Sequence, residues 1–223
     1  MGKDICVPIL KIYNNIEDIN FNDLPDKFVL KLNHGYSMNI ICKDKLKLNV
    51  NDTLKKLNKW KNFNYGLFTK EFQYLYVKRK IFAEQFLSEN IIDYKILCFN
   101  GEPKIIQTRK FLNDKSHRII HNHYNVNWEL TELESGLKGY FRDPNITIKK
   151  PKNLQLMLHY AKLLSQEFVF VRVDLYEFND KVYLGELTFT PENSFFKWKN
   201  RQQSMMIAKL MDINKIKVYF FNK

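Results

Sequence analysis

Glycine is scarce, with seven in 223 residues. A glycine-rich phosphate cradle must therefore be argued from particular positions and not from composition. Cysteine is scarcer: Cys6, Cys42 and Cys98 are odd in number and far apart. That pattern gives neither a disulfide framework nor metal-ligand spacing, so buried thiols in a reducing cytoplasm are expected. No apolar run approaches about 18–20 residues, so no transmembrane segment is expected. The opening MGKDICVPIL lacks a signal-peptide apolar core, and position 6 lacks the Ser or Thr of a myristoylation signal. No helix-turn-helix, zinc-finger or ribonucleoprotein motif is present, and no arginine-rich block.

What is present is a hydrophobic content of 45% and an aromatic content of 15%, enough for a real core and against wholesale disorder. The length suits one moderately large domain or two small packed ones. The net charge is +12 and the pI about 9.4, which point to anionic partners such as nucleic acid, acidic lipid, nucleotide phosphates or acidic sugars. Lysine and asparagine are spread along the whole chain, so ordinary solvation accounts for much of that charge.

Turn residues precede an apolar run at positions 28–32, and a second run at 39–42 follows a polar loop, which predicts a hairpin. NVNDTLKKLNKW places Leu54 and Leu57 on one helical face, with Asn51 or Asp52 as N-cap. RKIFAEQFL and DYKILCFNGEPKIIQTRKF predict three further strands, the last two joined at Asn100-Gly101. Positions 117–143 are polar and irregular, and a long surface excursion is expected there. PKNLQLMLHYAKLLSQ has Leu154, Met157, Leu158, Ala161 and Leu163 or Leu164 at helical spacing behind Pro151. The tail reads as a helix from position 200, then an apolar IKVYFF. Strands flanked by helices indicate an α+β fold with largely antiparallel sheets. The expected division is residues 1–87 and 88–223.

RVDLYEFNDKVYLGELTFT reads as two strands that each carry a carboxylate. With a three-residue turn at 179–181, or an equivalent bulge, Asp174 opposes Glu186 and Arg172 opposes Thr188 on one face. Val171, Val173, Leu175, Leu187 and Phe189 then form an apolar face. A two-residue turn would send the acids to opposite faces. Adjacent carboxylates repel, and either a divalent cation or a salt bridge from Arg172 would relieve them. Lys31 ends the apolar strand of FVLKLNHG beside a loop carrying His34, Gly35 and Ser37, where backbone N–H groups could meet phosphate. His34 suits a turn cap equally well. In IFAEQFLSENIIDYK, strand-end backbone at Glu84, Gln85, Phe86 and Leu87 could meet an adenine edge, and Asp93 a ribose. His117, His121 and His123 lie close together without a third scaffolded ligand, which favours solvated or substrate-facing histidines over a metal site.

The order of these features resembles the ATP-grasp superfamily. More narrowly, DLPDKFVLKLNHGYSMNIICKDK, DYKILCFNGEPKIIQ and FVRVDLYEFNDKVYLGELTFTP resemble the TupA-like ATP-grasp family, named for teichuronic acid synthesis, from about Val7 to Phe196. The resemblance implies an ATP- and Mg2+-dependent carboxylate–amine ligase working through an acylphosphate in cell-surface polysaccharide assembly. Family members are often labelled glycosyltransferases. Carried over by position, Lys31 would hold the α- and β-phosphates under the loop of Gly35, Tyr36, Ser37 and Met38, with His34 beside it. Backbone of Gln85, Phe86 and Leu87 would contact adenine with Glu84 alongside. Asp93, in an Asp-x-Lys pair with Lys95, would bind ribose. Asp174, Glu186 and Thr188 would ligate Mg2+, and Arg172 would stabilise the transferring phosphoryl group.

Three departures stand out: HGYS replaces a second loop glycine, PENS replaces a Pro-x-Ser-Gly region, and Thr188 stands where an Asn is usual. Complete ATP-grasp enzymes carry a substrate domain before the phosphate lysine, and a partner chain could supply it here. The expected partners are a nucleotide and a sugar or polysaccharide precursor, acidic ones included, for a cytoplasmic protein or one peripheral to the membrane. The alternatives are a glycosyltransferase-type or catalytically weakened nucleotide-binding component of the same pathway, and a basic nucleic-acid-binding protein.

Overall fold

The computed structural model describes residues 5–89, 91–112, 119–146, 148–194 and 197–215. The chain divides into two compact units, Met1–Glu89 and Asn90–Lys223.

The first unit is an antiparallel four-stranded sheet of β1 (Ile9–Tyr13), β2 (Phe28–Leu32), β3 (Asn39–Cys42) and β4 (Ile81–Gln85), in the order β1-β4-β2-β3. Strand β1 was not expected from the sequence. Its side chains Ile9, Leu10 and Ile12 are exposed, so no buried alternation marks it. Strand β2 alternates cleanly: Phe28, Leu30 and Leu32 are buried, while Val29 and Lys31 take the other face. The buried face packs with Ile81 and Ala83 against Leu57 of α1 (Val50–Asn62). The helix is capped by Asn49 and not by Asn51 or Asp52. The Asn49 side chain accepts from the Asp52 amide at 3.1 Å and donates to the Asp52 carboxylate at 2.7 Å, a reciprocal arrangement that satisfies a free helix-end donor. A short helix, α2 (Tyr65–Thr69), follows.

The second unit is a six-stranded sheet built from β5 (Asp93–Phe99), β6 (Glu102–Phe111), β7 (Ile119–Tyr124), β8 (Tyr140–Phe141), β9 (Phe170–Phe178) and β10 (Lys181–Thr188), ordered β10-β9-β5-β6-β7-β8. All its pairings are antiparallel except β7 with β8. Helix α3 (Leu154–Ser165) covers one face, burying Leu154, Met157 and Ala161 among Ile96, Ile106, Val171, Val173 and Leu175. Leu164 joins this core, whereas Leu163 is exposed. On the other face, Ile207 of α4 (Arg201–Ala208) completes a smaller cluster with Leu97, Phe99, Ile105 and Leu133.

The turn Asn100-Gly101 joins β5 and β6 with positive φ at both residues, 50° and 82°, as a type I′ hairpin requires. Phe189, expected in the core, lies beyond the end of β10 and is 41% exposed. Cys42 and Cys98 are buried as expected, but Cys6 is exposed. His117 and the apolar tail IKVYFF fall outside the described residues.

The surface excursion expected at 117–143 instead contributes strands β7 and β8 to the sheet, with irregular backbone between them, at 125–139. His121, Asn122 and His123 are at most 1% exposed, because β7 is an interior strand of the sheet. Asn122 donates to the carbonyls of Asp143 and Ile146 at 2.8 Å each and accepts from the Asp143 amide at 3.0 Å, fastening that segment to the sheet. Its polarity serves buried hydrogen bonds and not solvent.

Candidate functional site

In the first unit, Lys31 on β2 and Glu84 on β4 share the sheet face away from the core, and their charged ends meet at 2.5 Å. The two side chains are 25% and 13% exposed, so the lysine amine is held in place and not dispersed in solvent. The adjoining loop is tighter than a mobile phosphate flap would be. A Cβ at Gly35 would lie 2.8 Å from Met38 Cε and 2.9 Å from Tyr65 Cγ, so glycine is required there by packing. Met38 is itself buried. Ser37 holds a φ of 58°.

His34 faces inward and not toward the loop surface. It is 1% exposed, and its Nε2 donates to the Trp60 carbonyl at 3.1 Å. Burial lowers its pKa, with the Trp60 hydrogen bond opposing. Gln85 spends its backbone N–H on the Pro8 carbonyl at 2.9 Å, and Phe86 and Leu87 lie past the end of β4.

In the second unit, Asp174 and Glu186 are directly opposed on β9 and β10, and Arg172 faces Thr188. The route to that register is the bulge and not the three-residue turn, the second of the two expected forms. The turn has two residues, Asn179 and Asp180, with φ of 50° and 59°. The register then shifts between Leu184 and Glu186, a bulge at Gly185 that restores the pairing a three-residue turn would have given. A Cβ at Gly185 would lie 2.8 Å from the far end of the Tyr176 ring, so a larger residue there would have to push that ring aside.

The register carries further. Glu186 faces Asp174, Asp174 faces Lys95, Lys95 faces Gln107 and Gln107 faces His123, a polar row across five strands. All but Glu186 are buried, and Lys95, Gln107 and Asp174 are 7%, 3% and 1% exposed. Arg172 donates from Nε to Asp174 Oδ1 and from Nη2 to Asp174 Oδ2, both at 2.7 Å. It also reaches Glu186 at 2.8 Å and Thr188 at 3.0 Å. Thr188 in turn donates to Glu186 at 2.8 Å. Lys95 Nζ sits 2.5 Å from both Asp93 and Asp174.

Burial alone would raise the Asp174 carboxyl, but Arg172 and Lys95 overcome that and hold it below the usual carboxylate range. The Asp93 carboxyl moves up, first because it is buried and then because Asp174 repels it. Its side chain keeps 35% exposure, so solvent screens that shift. Asp93 Oδ1 is buried without a hydrogen-bond partner. Two cations thus face three carboxylates, Asp93, Asp174 and Glu186.

The donor chemistry fits Mg2+. Hard oxygens come from two opposed carboxylates, the number Mg2+ takes from protein when phosphates complete its shell, and one negative charge is in excess. Glu186, whose side chain is 40% exposed, is the accessible member. Asp174 shares its oxygens with Arg172 and Lys95, and the Thr188 proton is committed to Glu186. Among the described residues, no group of three or more His, Cys, Asp or Glu is placed to hold a metal by itself.

Gln107, Arg109 and His123 belong to this face and were not singled out for it by the sequence. The period-two spacing of Gln107 and Arg109 within KIIQTRKF was the available signal. His121 and His123 are fully buried and not solvated, with ring centroids 4.8 Å apart. His123 Nδ1 donates to the Leu133 carbonyl at 3.1 Å, and burial drives the ring pKa down to about 4. Arg109 pairs with Glu192 at 2.9 Å. Beside Arg109 and Arg172 lies a cavity of about 270 Å3, also lined by Phe99, Phe170, Phe189 and Trp198.

A sequence model of the family described as TupA-like ATPgrasp matches residues 1–211. No curated protein matches the chain. Among solved structures, a D-alanine–D-alanine ligase from Bacillus anthracis is 17% identical with a TM-score of 0.50, over 95% of this chain and 61% of that one. The same ligase complexed with ATP gives 17% and 0.48, over 82% and 49%. The Helicobacter pylori D-alanine–D-alanine ligase gives 16% and 0.44, over 93% and 56%. The likeness at a TM-score of 0.50 concerns fold alone. The chain spans between 49% and 61% of the length of these ligases.

Proposed function

The chain belongs to the TupA-like ATP-grasp family, and we propose that it carries the nucleotide site of an ATP- and Mg2+-dependent ligase joining a carboxylate to an amine. The observation that supports this most is the row Glu186–Asp174–Lys95, in which Asp174 and Lys95 are buried and Arg172 brackets the acids. A fold gains little from burying such a network, since desolvation offsets the attraction. Phosphoryl transfer, by contrast, needs fixed charge around a transferring group.

In this reading Lys31 binds phosphate oxygens, exchanging its Glu84 contact for them. The loop at Gly35, Ser37 and Met38 packs beside it, and backbone at Gln85, Phe86 and Leu87 borders the adenine with Glu84 alongside. Asp93, supported by Lys95, takes a ribose hydroxyl on its unpartnered Oδ1. Glu186 and Asp174 would hold Mg2+, which would neutralise phosphate charge, and Thr188 orients Glu186. The substrate carboxylate oxygen bonds to the γ-phosphorus as the bond to ADP breaks. The amine nitrogen then attacks the acyl carbon, and orthophosphate leaves with its electron pair while the amine loses a proton. Arg172 would stabilise the charge on the transferring phosphoryl group and then on the tetrahedral intermediate. A cytoplasmic setting supplies the ATP, and a sugar or polysaccharide precursor is the family-level setting for the amine partner. In thermal melting, ATP with Mg2+ raises Tm in a dose-dependent way, and Lys31→Ala removes the rise. Absence of a rise in the unmodified protein, or an undiminished one in Lys31→Ala, would contradict the reading.

A further inference from the structure

We propose that the cavity of about 270 Å3 on the polar face of the second unit binds a small carboxylic acid with an apolar or aromatic body, anchored by Arg109. The inference rests on the ligase reading only in making this acid the carboxylate that is activated. Its walls are mainly hydrocarbon: Phe99, Phe170, Phe189, Trp198, Ile207 and Met211. A buried sugar ring needs a hydrogen-bond partner for nearly every hydroxyl, whereas beyond the charged Arg109, Arg172 and Glu192 the side-chain polar groups of the lining are limited to Gln107, Thr190 and the Trp198 indole. A hydrocarbon body needs none, and the volume lies at the small end for ligand pockets.

The charged end of the cavity fixes the other half of the ligand. Arg172 also lines it, but its guanidinium already serves Asp174, Glu186 and Thr188. Arg109 is less committed. Nη2 donates to Glu192, the guanidinium lies 5.2 Å from the centre of the Tyr140 ring, and Nε is buried with no hydrogen-bond partner. A buried donor left unpaired is costly, and a carboxylate is the acceptor a guanidinium matches best. Glu192 stands in for such a ligand. Its side chain is 33% exposed and its backbone has a φ of 51°, a conformation non-glycine residues rarely hold. An entering carboxylate would displace it from Arg109.

Calorimetric titration of the full chain with three probes tests this. Phenylacetate is expected to bind, with phenylacetamide and glucuronate each at least about tenfold weaker. Arg109→Leu should weaken phenylacetate at least about tenfold. If that variant fails to fold, Phe189→Asp, at an exposed position beyond the strand end, should do the same by placing a negative charge at the mouth. No phenylacetate binding, glucuronate binding as tightly, an amide binding as well as the acid, or indifference to both variants would overturn the proposal. The effect of ATP with Mg2+ on Tm is read separately. Intact nucleotide stabilisation without phenylacetate binding defeats this inference alone, whereas loss of nucleotide stabilisation defeats the ligase reading.

Discussion

Replacing Lys95 by Met removes one buried cation from between two carboxylates. In the native protein its amine lies 2.5 Å from both Asp93 and Asp174, with the lysine side chain 9% exposed. Taking one partner out of a buried ion pair costs about 3–5 kcal/mol, because the remaining charge is left desolvated. Two features place Lys95→Met near the lower end. Arg172 still grips Asp174 with two hydrogen bonds of 2.7 Å, and Asp93 is 35% exposed on its side chain and can take up a proton. A loss of about 3 kcal/mol corresponds to a Tm lowered by about 6–12 °C at this chain size. The assay is urea and thermal unfolding at pH 7.5 and 5.5. The deficit should shrink at pH 5.5, where the raised Asp93 carboxyl is protonated and stops repelling Asp174. Adding Asp93→Asn should recover part of the loss at pH 7.5, a coupling that separate sites would not show. A Lys95→Met protein as stable as the parent at both pH values would refute this account of the charge network.

The hairpin offers a second test: Gly185→Ala should cost about 1–3 kcal/mol by driving a methyl into the Tyr176 ring, and Tyr176→Leu should return most of that stability in the double variant. The buried histidines give a pH dependence. Burial lowers His123 to about 4 and, with the neighbouring His123 charge, lowers His121 to about 2. Both are neutral when folded, so their contribution is complete above the unfolded pKa near 6.5. It is lost as pH falls, by about 1.4 kcal/mol per pH unit for each histidine, while protonation of Asp93 works the other way in the same window. Tm measured from pH 7.5 to 5 should therefore fall, and His123→Gln should flatten the slope; an unchanged slope would contradict the burial argument.

The strands and helices with regular burial were legible because period and burial agree. Phe28, Leu30 and Leu32 alternate with the less buried Val29 and Lys31, and Leu154, Met157 and Ala161 recur at helical spacing. The opposition of Asp174 and Glu186 was also legible, since the apolar face of the hairpin demands it, although the sequence did not distinguish a longer turn from a bulge. Gly185 was the mark of the bulge, and the paired positive φ of Asn179 and Asp180 shows why two residues suffice. What stayed hidden was set by distant partners. HNH in β7 reads as polar loop because the carbonyls that Asn122 holds come from residues 143 and 146, which no local pattern reveals. His34 reads as a loop histidine for the same reason, its acceptor being Trp60 on another element. The sequence alone sets Lys95 beside Asp93, but its bond to Asp174 requires knowing that β5 lies next to β9.

Binding of ATP measured by calorimetry, with and without Mg2+, in the parent and in Glu186→Gln addresses the nucleotide site directly. Glu186 is the accessible carboxylate of the row, so its neutral form should leave the fold intact. The parent should bind ATP in a Mg2+-dependent manner, and Glu186→Gln should weaken that binding at least about tenfold while leaving Mg2+-free binding little changed. Equal affinity in both proteins, or no binding by the parent, would mean that the opposed carboxylates of β9 and β10 serve the fold and not a nucleotide.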